Sequence, residues 1–173
     1  MDLVSASGVF AHGRVDAGTA VLFRFARPSG DAGTLLDLGC GYGVVACSLA
    51  AEVTAATVWA VDVNERALRL TTENARRIGA GERIRTASPD DVPAGVAFDE
   101  IWSNPPIRIG KDALHELLLR WLPRLAPGGR ALLVVGKNLG ADSLQRWLIG
   151  EGWACDRLGS AKGFRVLEVR RPE

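Results

Sequence analysis

The chain has 173 residues, 47% of them apolar and 24% charged, a composition typical of a globular protein and unlike that of a disordered or fibrous chain. Its formal net charge of +1 neither indicates nor excludes a polyanionic partner such as nucleic acid. This length is enough for one domain with a sizeable core and short for two.

The three cysteines, Cys40, Cys47 and Cys155, are odd in number and show no C-x-x-C spacing. This pattern argues against a disulfide framework and against a zinc site, and it favours a reducing compartment. No apolar run approaches the roughly 20 residues that cross a membrane, and the first residues do not resemble a signal peptide. We therefore predict a cytoplasmic protein that binds neither metal nor membrane.

From Thr34 onward, short β-like runs alternate with helix-like runs. The predicted strands are 34–38, 57–62, 83–87, 98–103, 131–136, 153–159 and 164–171, and the predicted helices are 19–27, 44–53, 64–79, 112–125 and 141–151. Asn64 is a suitable N-cap for the third helix, Gly79 is a suitable stop, and Pro123 limits the last turn of the fourth.

Such alternation predicts a parallel sheet with helices on both faces, and the last two strands are close enough in sequence to form an antiparallel hairpin. We predict one domain over 1–173, with 1–33 as an N-terminal cap segment and 34–173 as the α/β core. Because ligands of such sheets bind outside the carboxyl ends of the strands, the residues that follow each strand are the informative ones.

The first strand runs into LDLGCGYGVVA, in which Gly39, Gly41 and Gly43 form a G-x-G-x-G pattern. Glycines at such a turn allow a ligand to approach the backbone closely. The dinucleotide fingerprint G-x-G-x-x-G would need glycine at position 44, where this chain has Val44. The pattern therefore favours a close contact that does not involve phosphate, and a tight turn without any ligand is the alternative.

Acidic residues follow or end the first two strands. Asp62 can accept hydrogen bonds from both hydroxyls of an adenosine ribose, and capping of the next helix is its alternative role. Asp37, directly before the glycines, can face a cationic ligand group or hold the glycine turn by accepting backbone N–H groups. After the third strand, Ser88 and Asp90 lie where an adenine edge can be recognised, although Ser-Pro-Asp is also ordinary turn chemistry.

The fourth strand ends in SNPP, so that Asn104 stands before Pro105 and Pro106. Proline fixes φ near −65° and cannot donate to a sheet ladder, so the chain leaves the sheet here in a stiff, extended conformation. A side-chain amide held in this way can accept hydrogen bonds from a planar amino group, and a strand-ending turn is the alternative interpretation.

Taken in this order, LLDLGCGYG, Asp62 and SNPP resemble class I S-adenosylmethionine-dependent methyltransferases that methylate planar amino nitrogens. The segments GVFAHGRVDAGTAVLF, GKNLGADSL and GFRVL narrow the resemblance, over about residues 8 to 170, to the methyltransferase small domain family. The best-known members of that family are catalytic domains of 16S ribosomal RNA guanine-N2 methyltransferases. The resemblance implies a Rossmann-like, seven-stranded, mostly parallel sheet with one antiparallel strand.

The resemblance also assigns roles to residues. Asn104 and Pro105 would position the acceptor amine, and Pro106, Ile107 and Arg108 would contact the substrate. S-adenosylmethionine would be bound by Asp37, Gly39, Gly41, Asp62, Ser88 and Asp90, with Thr19 near its methionine end. Capping of the first helix is the alternative role of Thr19. The family usually has an aromatic residue after N-P-P, so Arg108 is the residue whose guanidinium plane can stack on a base in place of that ring.

The sequence leaves three functions open. The first is N-methylation of a planar amino group, with guanine N2 of ribosomal RNA as the expected acceptor and RNA as the partner. The second is N-methylation of a small molecule or a protein glutamine, which would explain Ile107 in place of an aromatic residue. The third is a non-catalytic cofactor-binding subunit that needs a partner.

Overall fold

The computed structural model of the protein describes residues 3–4, 15–106 and 109–172, except for the side chain of Ala32. The elements, in chain order, are α1 (Ala17–Phe25), β1 (Ala32–Leu38), α2 (Val44–Glu52), β2 (Ala55–Val61), α3 (Glu65–Arg77), β3 (Ile84–Ala87), β4 (Phe98–Ser103), α4 (Lys111–Trp121), β5 (Leu125–Gly136), α5 (Ala141–Gly150), β6 (Ala154–Ala161) and β7 (Phe164–Arg170), with short 3-10 helices at Leu122–Arg124 and Lys137–Leu139.

The strands belong to one seven-stranded sheet of order β3-β2-β1-β4-β5-β7-β6. β2 is parallel to β1 and to β3, and β4 is parallel to β5. β7 lies between β5 and β6 and is antiparallel to both. The predicted Rossmann-like sheet, mostly parallel with one antiparallel strand, is therefore confirmed.

The described residues form two compact units. The first comprises the residues up to Asp16 together with Pro28–Val96, and the second comprises Ala17–Arg27 together with the residues from Ala97 onward. The helix α1 thus belongs to the second unit, although it precedes β1 in the chain. The predicted single domain, with a cap over 1–33 and a core over 34–173, stays a prediction.

The first unit packs α2 and α3 against β1, β2 and β3. Its core is made of small and branched side chains, including the fully buried Leu36, Leu49 and Val58. Asn64 caps α3 as predicted, since its Oδ1 accepts a hydrogen bond of 3.0 Å from the Arg66 N–H.

The second unit packs α1 against β5, β7 and β6, and α5 against β6 and β7. Phe98, Trp102 and Trp121 are its largest fully buried side chains. A partly buried ionic network crosses its sheet: Arg130 donates to the buried Glu100 over 2.9 Å and to the half-buried Glu168 over 2.8 Å. Because each charge in this network has a hydrogen-bonded partner, the cost of burying it is offset.

Several predicted boundaries differ from those of the structure, and the two largest differences have separate causes. The helix predicted over 112–125 ends at Trp121 and continues as a 3-10 turn, because Pro123 has no N–H to donate. The strand predicted over 131–136 begins at Leu125, because Leu125 pairs with Phe98 on β4. Gly129 permits this early start, since a Cβ there would lie 2.9–3.0 Å from the carbonyl oxygens of neighbouring backbone.

Within the described ranges, no helix is both long and apolar enough to cross a membrane. The same residues contain no group of three His, Cys, Asp or Glu side chains arranged to hold a metal ion.

Candidate functional site

The turn after β1 is fastened to the end of β2 by its own backbone. The N–H groups of Gly39 and Cys40 both donate to the Val61 carbonyl, over 2.8 and 3.0 Å, and the Gly43 N–H donates back to the Cys40 carbonyl over 2.9 Å. Gly39 and Gly41 have φ values of +78° and +55°, and a Cβ built on either would meet no atom within 4 Å. The glycines therefore leave open space beside the turn, into which a ligand can approach the backbone.

Two buried polar side chains of α3 hold the same turn from beneath. The Thr71 hydroxyl donates to the Gly41 carbonyl over 3.0 Å, and the Asn74 amide donates to the Tyr42 carbonyl over 2.8 Å. Asn74 also exchanges two hydrogen bonds, of 2.7 and 2.9 Å, with the backbone of Val4. Neither residue was predicted from the sequence. The signal that could have identified them is a pair of polar side chains, three residues apart, on the inward face of the amphipathic helix α3.

Asp62 lies directly after β2 and bridges the glycine turn and α3. One carboxylate oxygen accepts the Gly41 N–H over 2.9 Å, and the other accepts the Asn64 N–H over 2.9 Å. A carboxylate has about four acceptor positions, so these bonds leave capacity for further donors such as ribose hydroxyls. Asn64 performs the capping of α3, and Asp62 is instead fixed in orientation at the open side of the turn.

Asp37 is buried beneath the turn, with 2% of its surface exposed. Its Oδ2 accepts the Ala46 N–H over 2.8 Å, which satisfies a backbone donor in the first turn of α2 that the cap residue Gly43 has no side chain to reach. Burial raises the pKa of Asp37 from 3.8 to about 7, the Ala46 hydrogen bond opposes that rise, and the charge of Asp62 adds to it. The carboxylate therefore holds the glycine turn from within the core.

The turn after β3 is closed by its own side chains. The Ser88 hydroxyl donates to the Asp91 carboxylate over 2.6 Å, and the Asp91 N–H donates to the Ser88 carbonyl over 3.1 Å. Asp90 is exposed on the same turn. Ser88 and Asp90 were predicted as site residues from the sequence, whereas Asp91, which orients the Ser88 hydroxyl, was not.

The residues of this unit fit a nucleoside. Open glycines permit close approach to the backbone, and a fixed carboxylate at the end of β2 can accept ribose hydroxyls. Gly43 differs from the other two glycines, because a Cβ there would lie 2.8 Å from Thr71. It is needed for the packing of α2 on α3 rather than for an open surface.

In the second unit, Asn104 follows β4 and its side chain is already engaged. The Nδ2 of Asn104 donates to the Thr19 hydroxyl over 3.0 Å, across 85 residues of sequence. Thr19 is 6% exposed and is the third residue of α1. The predicted helix begins two residues earlier than expected, so Thr19 lies within its first turn and is not its N-cap.

A pocket of about 180 Å³ adjoins the N-P-P segment in this unit. Pro105 is buried and Pro106 is exposed, and both line it with Asn104. The remaining lining residues come from α4, β5, the second 3-10 helix, α5 and β7, together with Ile109 and Gly110 before α4 and Gly140 before α5. Ile107 and Arg108, which were predicted to contact the substrate, lie outside the described residues.

Each unit thus brings together part of the predicted set. In the first unit, Asp37, Gly39, Gly41 and Asp62 surround one turn, with Ser88 and Asp90 on the turn after β3. In the second unit, Thr19 and Asn104 are hydrogen-bonded, and Pro105 and Pro106 line the adjoining pocket.

A Rossmann-like seven-stranded sheet in which β7 is antiparallel to both of its neighbours, with a glycine turn after β1 and an acidic residue after β2, is typical of S-adenosylmethionine-dependent methyltransferases. The profile of the methyltransferase small domain family matches residues 1–168, and the chain belongs to this family.

Relatives agree with this family. The chain is 37% identical to the uncharacterized protein YbxB of Bacillus subtilis over 171 residues, which cover 96% of this chain and 84% of YbxB. It is 34% identical to ribosomal RNA small subunit methyltransferase C of Pseudomonas paraeruginosa, covering 99% of this chain and 52% of that protein. The chain therefore spans about half the length of that methyltransferase.

Solved structures share the fold. The 16S rRNA N2 G1207 methyltransferase (RsmC) of Thermus thermophilus, in complex with AdoMet and guanosine, superposes with a TM-score of 0.78 at 24% identity, covering 95% of this chain and 45% of that one. The ribosomal protein L11 methylase of Lactobacillus delbrueckii superposes with a TM-score of 0.72 at 20% identity, covering 90% and 77%.

Proposed function

We propose that the protein transfers a methyl group from S-adenosylmethionine to a planar exocyclic amino group, and that the acceptor is guanine N2 of ribosomal RNA. The observation that carries this proposal is the Asn104 side chain, which is tied to Thr19 and followed by two prolines at the edge of a pocket. The relatedness to ribosomal RNA small subunit methyltransferase C supports the choice of RNA.

The cofactor would be held by the first unit. Gly39 and Gly41 present open backbone, Asp62 accepts the ribose hydroxyls, and Asp37 keeps the turn in place through Ala46. Ser88 and Asp90 would contact the adenine edge. When bound, S-adenosylmethionine supplies a methyl group activated by its sulfonium charge.

Asn104 and Pro105 would act on the acceptor amine. The lone pair of an exocyclic amino group is delocalised into the ring, so the nitrogen is a poor nucleophile. Hydrogen bonds from its two N–H groups to the Asn104 Oδ1 and the Pro105 carbonyl would fix the direction of the nitrogen lone pair and would stabilise the positive charge that develops on the nitrogen. Once methylated, the nitrogen would release a proton to water.

The stiffness of the N-P-P segment explains why few residues are enough. Prolines hold the acceptors in place before the substrate arrives, so little ordering remains for the moment of reaction. No general base is required, because the methylated, positively charged amine is acidic enough to lose its proton to solvent. Pro106, Ile107 and Arg108 would contact the base itself, with Arg108 as the group that stacks on it.

The test is transfer of labelled methyl from S-adenosylmethionine to small ribosomal subunits, naked ribosomal RNA, transfer RNA, and a protein and small-molecule extract. Asn104→Ala is compared with the wild type and with Asp156→Asn, an exposed change on β6. We expect label in ribosomal RNA and a fall in kcat of about 10²–10³-fold for Asn104→Ala only, since it removes one stabilising acceptor.

Other outcomes select other functions. Label only in the protein or small-molecule fraction would replace RNA by the second acceptor class, for which Ile107 in place of an aromatic residue is the supporting observation. Bound cofactor with no label in any fraction would favour the non-catalytic subunit. Full activity of Asn104→Ala would show that the Asn104 amide does not take part in the reaction.

A further inference from the structure

Two side chains of α1 contact the end of β4 and the residue that follows it. Thr19 is hydrogen-bonded to Asn104, and four residues further along α1 the Phe23 ring packs on Trp102, with ring centroids 5.9 Å apart. Four helical residues rise about 6 Å, and two strand residues rise about 6.6 Å. The two spacings agree closely, so a single placement of α1 satisfies both contacts.

The helix that carries Thr19 is firmly anchored. Val21 and Leu22 are buried with 2% and 0% of their surfaces exposed. Just beyond the other end of α1, Arg130 donates to the Arg27 carbonyl. Asn104, by contrast, follows the last residue of β4 and has left the strand ladder. The hydrogen bond therefore joins a loop side chain to a rigid element.

The two ends of the Asn104 amide are nearly equal in shape but opposite in hydrogen bonding. An acceptor amine needs the oxygen, and an amide rotated by 180° about χ2 would present two N–H groups to it instead. With Nδ2 donating to the Thr19 hydroxyl, Oδ1 occupies the other end of the amide plane. Donation from Nδ2 also polarises the amide, which makes Oδ1 a stronger acceptor.

We propose that Thr19 is a positioning residue of the acceptor site: by accepting a hydrogen bond from Nδ2, its hydroxyl holds the Asn104 amide in the orientation that receives the amino group to be methylated. The inference rests on the proposed function, because it assigns Thr19 a task in the same reaction. It differs from the prediction that Thr19 contacts the cofactor, because it ties Thr19 to kcat through Asn104 and not to cofactor affinity.

The first experiment compares Thr19→Val, which keeps the branched shape without the hydroxyl, with Thr19→Ser, which keeps the hydroxyl. Each is assayed for kcat on small ribosomal subunits and for the Kd of S-adenosylmethionine by titration calorimetry. We expect Thr19→Val to lower kcat about 2- to 12-fold, the value of one hydrogen bond, with an unchanged Kd. Thr19→Ser should restore kcat to the wild-type value.

A double-mutant cycle with Asn104→Ala separates the two possible roles. If Thr19 acts through Asn104, then Thr19→Val has no further effect on kcat once Asn104 is alanine. If Thr19 contacts the cofactor, the variant raises the Kd of S-adenosylmethionine in both backgrounds, and the proposal is overturned. A large loss of activity in Asn104→Ala together with wild-type kcat in Thr19→Val would also overturn it while leaving the proposed function intact.

A second measurement does not depend on activity or on the identity of the acceptor. The two side-chain N–H signals of Asn104 in a ¹H–¹⁵N spectrum are identified by their disappearance in Asn104→Ala. In the wild type we expect one of these protons to be shifted downfield and protected from exchange with solvent, and both properties to be lost in Thr19→Val and kept in Thr19→Ser. Unchanged Asn104 signals in Thr19→Val would overturn the proposal.

Discussion

Asp37 in the first unit has a structural role, although it is predicted to bind the cofactor. Asp37 accepts a backbone N–H of α2 and is nearly inaccessible to water, and burial raises the pKa of its carboxyl to about 7. Near neutral pH the residue is therefore balanced between its charged and neutral forms. A cationic ligand above the turn would shift this balance toward the charged form.

This balance makes the stability of the protein depend on pH. The folded pKa of about 7 lies above the ordinary value of 3.8, so the folded state binds more protons than the unfolded state between these values. The contribution of Asp37 to the free energy of unfolding is complete below pH 3.8 and is lost as the pH rises through about 7. Titration of this one group changes the free energy of unfolding by at most about 1.4 kcal/mol per pH unit.

We expect Asp37→Asn, which keeps an oxygen for the Ala46 N–H but does not titrate, to remove this slope. Its free energy of unfolding in urea, minus that of the wild type at the same pH, should rise from pH 4 to pH 8. Titration of all other groups cancels in the difference. The matched control is Asp156→Asn, the same change at an exposed position, and a flat difference for Asp37→Asn would contradict the prediction.

At the scale of elements, the packing of α2 on α3 is set by one glycine. Gly43 caps α2 with φ +90°, and a Cβ there would lie 2.8 and 2.9 Å from the Cγ2 and Oγ1 of the buried Thr71. Gly79, which ends α3, has a similar φ of +73° but open space around it. The two positions share a backbone constraint and differ only in crowding.

Gly79→Ala is therefore the control for Gly43→Ala. The left-handed backbone should cost each variant about 1–2 kcal/mol of unfolding free energy. Gly43→Ala should lose a further 1–3 kcal/mol, approximately, because α2 and α3 must move apart to admit the methyl group. Urea unfolding of the two variants measures the difference, and equal losses would show that Thr71 yields without cost.

At the scale of the whole molecule, a nucleoside cofactor should stabilise the folded chain. At a concentration of about 100 times its Kd, a ligand adds about 2.7 kcal/mol to the free energy of unfolding. For a protein of this size that corresponds to a rise in Tm of about 5–11 °C. We expect S-adenosylmethionine to produce such a rise and NAD to produce none, because Val44 occupies the place of the third dinucleotide glycine.

Differential scanning fluorimetry measures the change in Tm with each ligand. Asp62→Ala should lose the rise in Tm produced by S-adenosylmethionine. Asp156→Asn should keep it. A rise in Tm with NAD would contradict the choice of S-adenosylmethionine as the cofactor. A full rise with S-adenosylmethionine in Asp62→Ala would contradict the assignment of the ribose contact to Asp62.

Much of the fold was predictable because its signals are local. All seven strands and all five α-helices of the described residues were predicted, and β4 was predicted to the residue. The largest error fell where a distant partner decides a boundary, at the early start of β5 at Leu125. Pairing of Leu125 with Phe98 overrides the turn propensity of the Ala-Pro-Gly-Gly that follows Leu125.

For the candidate site, the sequence by itself determined which residue types stand at the strand ends: the glycines, Asp37, Asp62 and the N-P-P segment. Only the tertiary structure decided which groups those side chains bond to, such as Gly41 for Asp62 and Thr19 for Asn104. The physical reason is the distance along the chain over which each interaction acts. Turn chemistry and strand alternation act within a few residues, whereas a buried polar group takes whichever partner the packed chain brings to it, however distant in sequence.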